Sequence, residues 1–122
     1  MNKKILIIDD NQDDQLILKR MFNTWNYFDI STADNGEEGL ERVKQEQPDL
    51  IMLDVLMPRM NGFEVLNKLK NTPEYADIPV VILTSKTDAT QLFNSNNANA
   101  DFYLPKPLKP EHLIPFVKLI LN

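Results

Sequence analysis

Three stretches of this chain are apolar without interruption: Ile5–Ile8, Leu50–Leu53 and Val80–Leu83. A strand with one wet face alternates apolar and polar side chains. An unbroken run of four strong β-formers or apolar residues therefore marks a strand covered on both sides. Two further stretches read as strands: the short run Phe102–Leu104, and Asp29–Ala33 (DISTA), which is more polar and suits a sheet edge. Helical patterns fill the intervals. Leu16, Ile17, Met21 and Trp25 recur at helical spacing behind Asn11 and Asp14, a cap and a first-turn acid. Asn35 with Glu38 repeats that start signal before Leu40 and Val43, and Asn61 precedes Phe63, Leu66 and Leu69. A last helix spans about Glu111 to Leu121, with Leu113, Val117, Ile120 and Leu121 on its apolar side. Strands alternating with helices give an α/β domain, a parallel sheet with helices on both faces.

Two segments fit that pattern poorly. Residues 88–99 should be helical by position, but Asn94, Asn96, Asn97 and Asn99 are weak helix formers, so a short, mobile element is expected there. Pro115 falls inside the last helix, where a proline costs roughly 3 kcal/mol in a regular interior. Either that helix kinks or its regular part begins near Pro115.

At 122 residues the chain is one domain with room for a real core. A net charge of -5 argues against an electrostatic grip on nucleic acid. The absence of cysteine excludes disulfides, thiolate metal sites and thiol nucleophiles. The opening Met-Asn-Lys-Lys is followed by only four apolar residues, short of the apolar stretch a secretory signal or a membrane span requires. No membrane association is expected, and the cytoplasm is the default location.

In an open parallel sheet, ligands bind beyond the carboxyl ends of the strands. The residues standing there are Asp9 and Asp10 after the first run, Asp54 after Leu53, Thr84 and Ser85 after Leu83, and Lys106 after the last strand. Three carboxylates about 5 Å apart would repel by roughly 3 kcal/mol per pair at an effective dielectric of 20. Proton uptake or a bound cation relieves that strain. Carboxylate oxygens suit a hard ion such as Mg²⁺ that also bridges to phosphate. An aspartate in such a site can attack phosphorus to give an aspartyl phosphate. Lys106 and the Thr84 hydroxyl stand where charge and a hydrogen bond for phosphoryl oxygens are needed.

The stretches IIDDN, PDLIMLDVLMPRMNG, PVVILTS and ADFYLPKP, in that order and spacing, resemble the receiver domains of bacterial two-component response regulators. The likeness runs from Lys3 to Leu121 and is to the single-domain, chemotaxis-type form. It implies one receiver domain over residues 1–122 with a flavodoxin-like, doubly wound five-stranded sheet in the order 2-1-3-4-5 and five surrounding helices. It implies that Asp54 accepts a phosphoryl group from a phosphohistidine on a histidine kinase or phosphotransfer protein. The chain would then be a phosphoacceptor switch rather than an enzyme with a separate substrate, assisting its own phosphorylation and dephosphorylation. Asp9, Asp10 and Asp54 would hold Mg²⁺ by their side chains and Leu56 by its backbone carbonyl. Lys106 and Thr84 would bind phosphoryl oxygens. Tyr103 would turn inward as the Thr84 hydroxyl moves, remodelling the face made by the fourth helix, fifth strand and fifth helix, to which a downstream protein binds. The Lys106–Pro107 bond would be cis.

Some residues depart from the family pattern. Leu56 is apolar where many relatives are polar, and Lys86 is basic. Together they are expected to order a hydrolytic water poorly and prolong the phosphoryl state, so that Leu56→Asn should quicken dephosphorylation. Asn99 replaces a common glycine conservatively, since asparagine tolerates positive φ. Gly39 replaces the usual alanine and should weaken its helix by about 0.5–1 kcal/mol.

Plainer readings stand beside these. Asp9 and Asp10 alone would serve equally as a solvated loop and cap, and Tyr103 as a packed aromatic. His112 is an exposed helix residue rather than a phosphocarrier. Phe22 and Trp25 are packing residues, and Glu37, Glu38, Glu41 and Glu46 a solvated helix face. Two other functions suit the sequence less well. A Mg²⁺-dependent phosphohydrolase of the haloacid dehalogenase type needs a second aspartate two residues after the nucleophile, where this chain has Leu56, and a cap domain for which there is no room. A scaffold that never receives phosphate would not need all of Asp9, Asp10, Asp54, Thr84 and Lys106. If the chain is the whole protein, its output is contact with another protein or onward relay of the phosphoryl group; if it is a piece, an output module lies elsewhere.

Overall fold

The computed structural model describes residues 2–23, 28–55, 57, 62–84, 101–106 and 108–121, Thr84 by its backbone only. The strands are β1 (Lys3–Ile8), β2 (Phe28–Ala33), β3 (Leu50–Asp54), β4 (Val80–Thr84) and β5 (Phe102–Pro105). They form one sheet in the order β2-β1-β3-β4-β5, every pair parallel. This is the order and strand number expected. The helices are α1 (Gln12–Asn23), α2 (Gly36–Glu46), α3 (Gly62–Lys70) and α4 (Pro110–Leu121). Four helices are described where five were expected; the missing one, over residues 88–99, lies outside the described residues, as do Asn61, Trp25, Lys86 and Asn99.

The period of two along each strand splits the interior into two cores. Leu6 and Ile8 of β1, Ile51 and Leu53 of β3, and Val80 and Ile82 of β4 meet α2 and α3 through Val43, Val65, Leu66 and Leu69. Ile5 and Ile7, Leu50 and Met52, and Val81 and Leu83 point the other way, towards Leu18 and Phe22 of α1 and Leu113, Ile114 and Val117 of α4. The central strands are wet on neither side, hence their unbroken runs. β2 and β5 lie at the edges, and Phe102 and Tyr103 of β5 are exposed.

One expectation is corrected and one alternative is decided. On α1 the apolar stripe was placed on Leu16, Ile17, Met21 and Trp25, but Leu16 and Ile17 are 46% and 48% exposed, while Gln15, Leu18 and Phe22 are buried. Gln15, Leu18 and Phe22 are also three and seven residues apart, so helical spacing alone admits both stripes. The choice falls to Gln15, whose amide has buried carbonyls to bond. The last helix has the extent expected, about Glu111 to Leu121, and of the two alternatives at Pro115 a regular part beginning there is not the one found. It starts at Pro110, whose missing N–H costs nothing in a first turn, and Lys109 O accepts from both His112 N and Leu113 N. Pro115 and Glu111 are both exposed, so water can bond the Glu111 carbonyl that Pro115 leaves without a helical donor.

Caps follow the sequence closely. Asp14 N donates to Asn11 Oδ1 at 3.1 Å, and Glu38 N to Asn35 Oδ1 at 2.9 Å. α2 closes on Gln47 in the left-handed region (φ 48°), its N–H reaching Val43 O. His112 is exposed and Phe22 is core, as expected. No helix among the described residues is long and apolar enough to cross a membrane.

Candidate phosphoacceptor site

Parallel register brings the strand ends level: Ile8 stands beside Ala33 and Leu53, Asp54 beside Leu83, and Thr84 beside Pro105. Whatever follows each strand is therefore delivered to one edge. Asp9, immediately after β1, is fully buried, and Asp10 beyond it is exposed. Asp54 is buried at the end of β3. Oxygens of Asp9, Asp10 and Asp54 lie within 4.8 Å of one another.

Backbone and side chains fix Asp9 from several directions. Its N–H donates to Ala33 O at 3.1 Å, and its Oδ1 accepts from Asn11 N at 2.9 Å. Gln15 Nε2 donates to Asp9 O at 2.6 Å, to Asp34 Oδ1 at 2.9 Å and, more distantly, to Ala33 O. This single amide ties the start of α1 to the ends of β1 and β2. Gly62 serves Asp54 in a comparable way. Its N–H bonds Val55 O at 2.9 Å, and a Cβ built on it would strike Asp54 O and come within 2.9 Å of Val55 Cα, so only glycine lets α3 start this close to β3.

Lys106 enters from beyond β5. Its Nζ lies 3.0 Å from Asp14 Oδ2, 3.3 Å from Asp9 Oδ2 and 3.4 Å from Asp54 Oδ1. Burial raises the pKa of Asp54 to about 6, with the charge of Asp9 adding to it and Lys106 opposing it. Asp9 is raised too, chiefly by burial, against the lowering effect of the Asn11 N–H and Lys106. Burial alone would lower Lys106; its hydrogen bond to Asp14 and the charges of Asp54 and Asp9 more than offset this and raise it. The two buried carboxylates thus hold their charge reluctantly.

Three hard oxygen donors in that spacing, two of them raised in pKa by burial, fit a small divalent cation better than any soft metal. The structure brings together Asp9, Asp10, Asp54 and Lys106. Leu56 and Pro107 lie outside the described residues, as does the Thr84 side chain. Tyr103 is 39% exposed on β5. Two residues of the site escape sequence reasoning: Asp14, which the sequence marks only as a first-turn acid, contacts Lys106, and Gln15 holds Asp9. A signal existed for Gln15, a polar residue three and seven positions ahead of the apolar Leu18 and Phe22.

The model of the response regulator receiver domain family matches residues 5–118. The chain belongs to that family. Its receiver fold is the one used in two-component signal transduction. Response regulator MprA of Mycobacterium ulcerans is 34% identical over 122 residues, all of this chain and 51% of that protein. The chain thus spans about half the length of the curated relatives it matches. The chemotaxis protein CheY4 of Vibrio cholerae superposes with a TM-score of 0.87 at 27% identity, over 99% of this chain and 100% of that one. The signal receiver domain of a signal transduction histidine kinase from Syntrophus aciditrophicus gives 0.88 at 34% identity, over 98% and 89%.

Proposed function

We propose that this receiver domain is a phosphoacceptor switch acting in the cytoplasm: Asp54 takes a phosphoryl group from a phosphohistidine on a histidine kinase or phosphotransfer protein, and the aspartyl phosphate alters a protein-binding face. The observation carrying this is the meeting of buried Asp54 with Asp9, Asp10 and Lys106 at one sheet edge. An Asp54 carboxylate oxygen forms the new bond to phosphorus. The phosphorus–nitrogen bond breaks, its electron pair leaves with the imidazole nitrogen, and that nitrogen takes up a proton. With a pKa of about 6, Asp54 is mainly ionised at neutral pH and ready as a nucleophile.

Negative charge in the transition state spreads over the phosphoryl oxygens, so positioned positive charge does most of the work. The Lys106 ammonium already stands 3.4 Å from Asp54 Oδ1, within reach of phosphoryl oxygens bound there. Asp9, Asp10 and Asp54, with the Leu56 carbonyl, would hold Mg²⁺, which supplies the remaining charge neutralisation when bound. Asn11 and Gln15 keep the Asp9 segment in place. Thr84 would donate to a phosphoryl oxygen and Tyr103 would follow it inward, with Lys106–Pro107 cis. Exposed Phe102 and Tyr103 on β5 and Leu119, 77% exposed on α4, support an output face there.

Incubating the chain with Mg²⁺ and acetyl phosphate tests the proposal, with incorporated phosphoryl and released phosphate both measured. One phosphoryl group per chain with slow release supports a switch. Continuous turnover would make it a phosphohydrolase, and no modification a scaffold; either result overturns the proposal.

A further inference from the structure

Lys106 makes its shortest contact with a carboxylate that has no part in the proposed chemistry: Asp14 Oδ2 at 3.0 Å, against 3.3 Å to Asp9 and 3.4 Å to Asp54. An ammonium has three donors, and three acceptors already occupy them. Asp14 stands in the first turn of α1, outside the trio of possible metal ligands, with its side chain about one-third exposed (35%). The lysine is not wedged in place. A cavity of about 100 Å³ opens beside it, bounded by Asp9, Asp14, Ile17, Leu18, Lys106 and Leu108.

We propose that Asp14 is a positioning residue that draws the Lys106 ammonium towards α1, so that a phosphoryl group on Asp54 must win the lysine from it. The inference rests on Asp54 being the phosphoacceptor and adds a control to that site. Phosphoryl oxygens on Asp54 bring new acceptors and more negative charge to a cation whose donors are already shared. Asp14 therefore biases the chain towards the unphosphorylated state and sets how much of the lysine's charge a bound phosphoryl group receives. The small cavity gives the side chain room to shift between the two arrangements.

Beryllofluoride, a phosphoryl mimic that binds the acceptor aspartate without turnover, reads this directly. Its affinity in Mg²⁺ is measured by calorimetry for the wild type, Asp14→Asn, Asp14→Glu, Lys106→Met and the double variant Asp14→Asn with Lys106→Met. Asp14→Asn should tighten binding about threefold to tenfold, the scale of a partly lost charge-assisted hydrogen bond. Asp14→Glu, which keeps the charge, should return most of the way to wild type. In the Lys106→Met background, Asp14→Asn should change affinity by less than about twofold. Unchanged or weaker binding by Asp14→Asn overturns the inference. Equal tightening with and without Lys106 also overturns it, because the charge of Asp14 would then act on the ligand rather than through the lysine. Wild-type protein that binds no beryllofluoride would instead sink the phosphoacceptor role itself, and this inference with it.

Discussion

Asp54 is held in an environment that resists its own ionisation. In the folded chain its pKa is raised from 3.8 to about 6, first by burial and then by Asp9. The unfolded chain gives up that proton first, so in metal-free protein this group's contribution to stability falls as pH rises from about 4 to about 6. The loss is fully present above that window. Asp54→Asn removes it, and urea unfolding of chelator-treated protein should find the variant more stable at pH 7.5, by roughly 1–3 kcal/mol. That advantage should shrink towards zero at pH 4. Gly62 constrains the same residue from behind. Gly62→Ala pushes a methyl group against the Asp54 carbonyl and Val55 Cα, backbone atoms that cannot turn aside. It should cost about 2 kcal/mol or more by urea unfolding, and slow phosphorylation by acetyl phosphate. The positions of Asp9, Asp10, Asp54 and Lys106 were legible because each follows an apolar strand. Asp14 was not, because its partner Lys106 is 92 residues away in the chain, and nothing local distinguishes a first-turn acid that caps from one that holds a lysine.

Elements were legible where burial is two-sided and ambiguous where it is one-sided. The runs at Ile5–Ile8, Leu50–Leu53 and Val80–Leu83 admit one interpretation. The α1 pattern admits two, and the choice fell to Gln15, a polar residue buried because its amide joins two strand ends. Gly39 shows how packing reverses a propensity argument. A helix-interior glycine should cost about 0.5–1 kcal/mol relative to alanine, yet a Cβ here would lie 2.5 Å from Ile8 Cδ1 and 2.9 Å from Ile8 Cγ1. Ile8 is fully buried between neighbours and has little space to yield. Gly39→Ala should therefore destabilise the chain by about 1–2 kcal/mol, overpacking outweighing helix propensity. Adding Ile8→Val, which deletes Cδ1, should recover part of the loss. Thermal unfolding of both variants checks this, and a more stable Gly39→Ala would show that Ile8 can step aside. At the other end of the sheet, Lys70 at the end of α3 reaches Ala76 O, Ile78 O and Asp101, and Asp101 accepts from Val80 N. These bonds pin the starts of β4 and β5, and no periodicity announces them.

For the whole molecule, topology does the chemical assembly. A parallel sheet points all its strands the same way, so residues separated by up to 97 positions, such as Asp9 and Lys106, meet at a single edge. Two cores pack the sheet that carries this edge from opposite faces. Strand count and sheet order agreed with the resemblance to receiver domains, because alternating buried strands and amphipathic helices leave few right-handed arrangements. Covalent modification at one carboxylate is the claim on which the rest depends. The direct measurement treats the chain with acetyl phosphate and Mg²⁺, reduces any acyl phosphate with borohydride, and maps the resulting homoserine by peptide mass spectrometry. Homoserine should appear at position 54 alone, and disappear when a chelator replaces Mg²⁺. Homoserine at another aspartate, or none in a folded and Mg²⁺-loaded chain, would contradict the account.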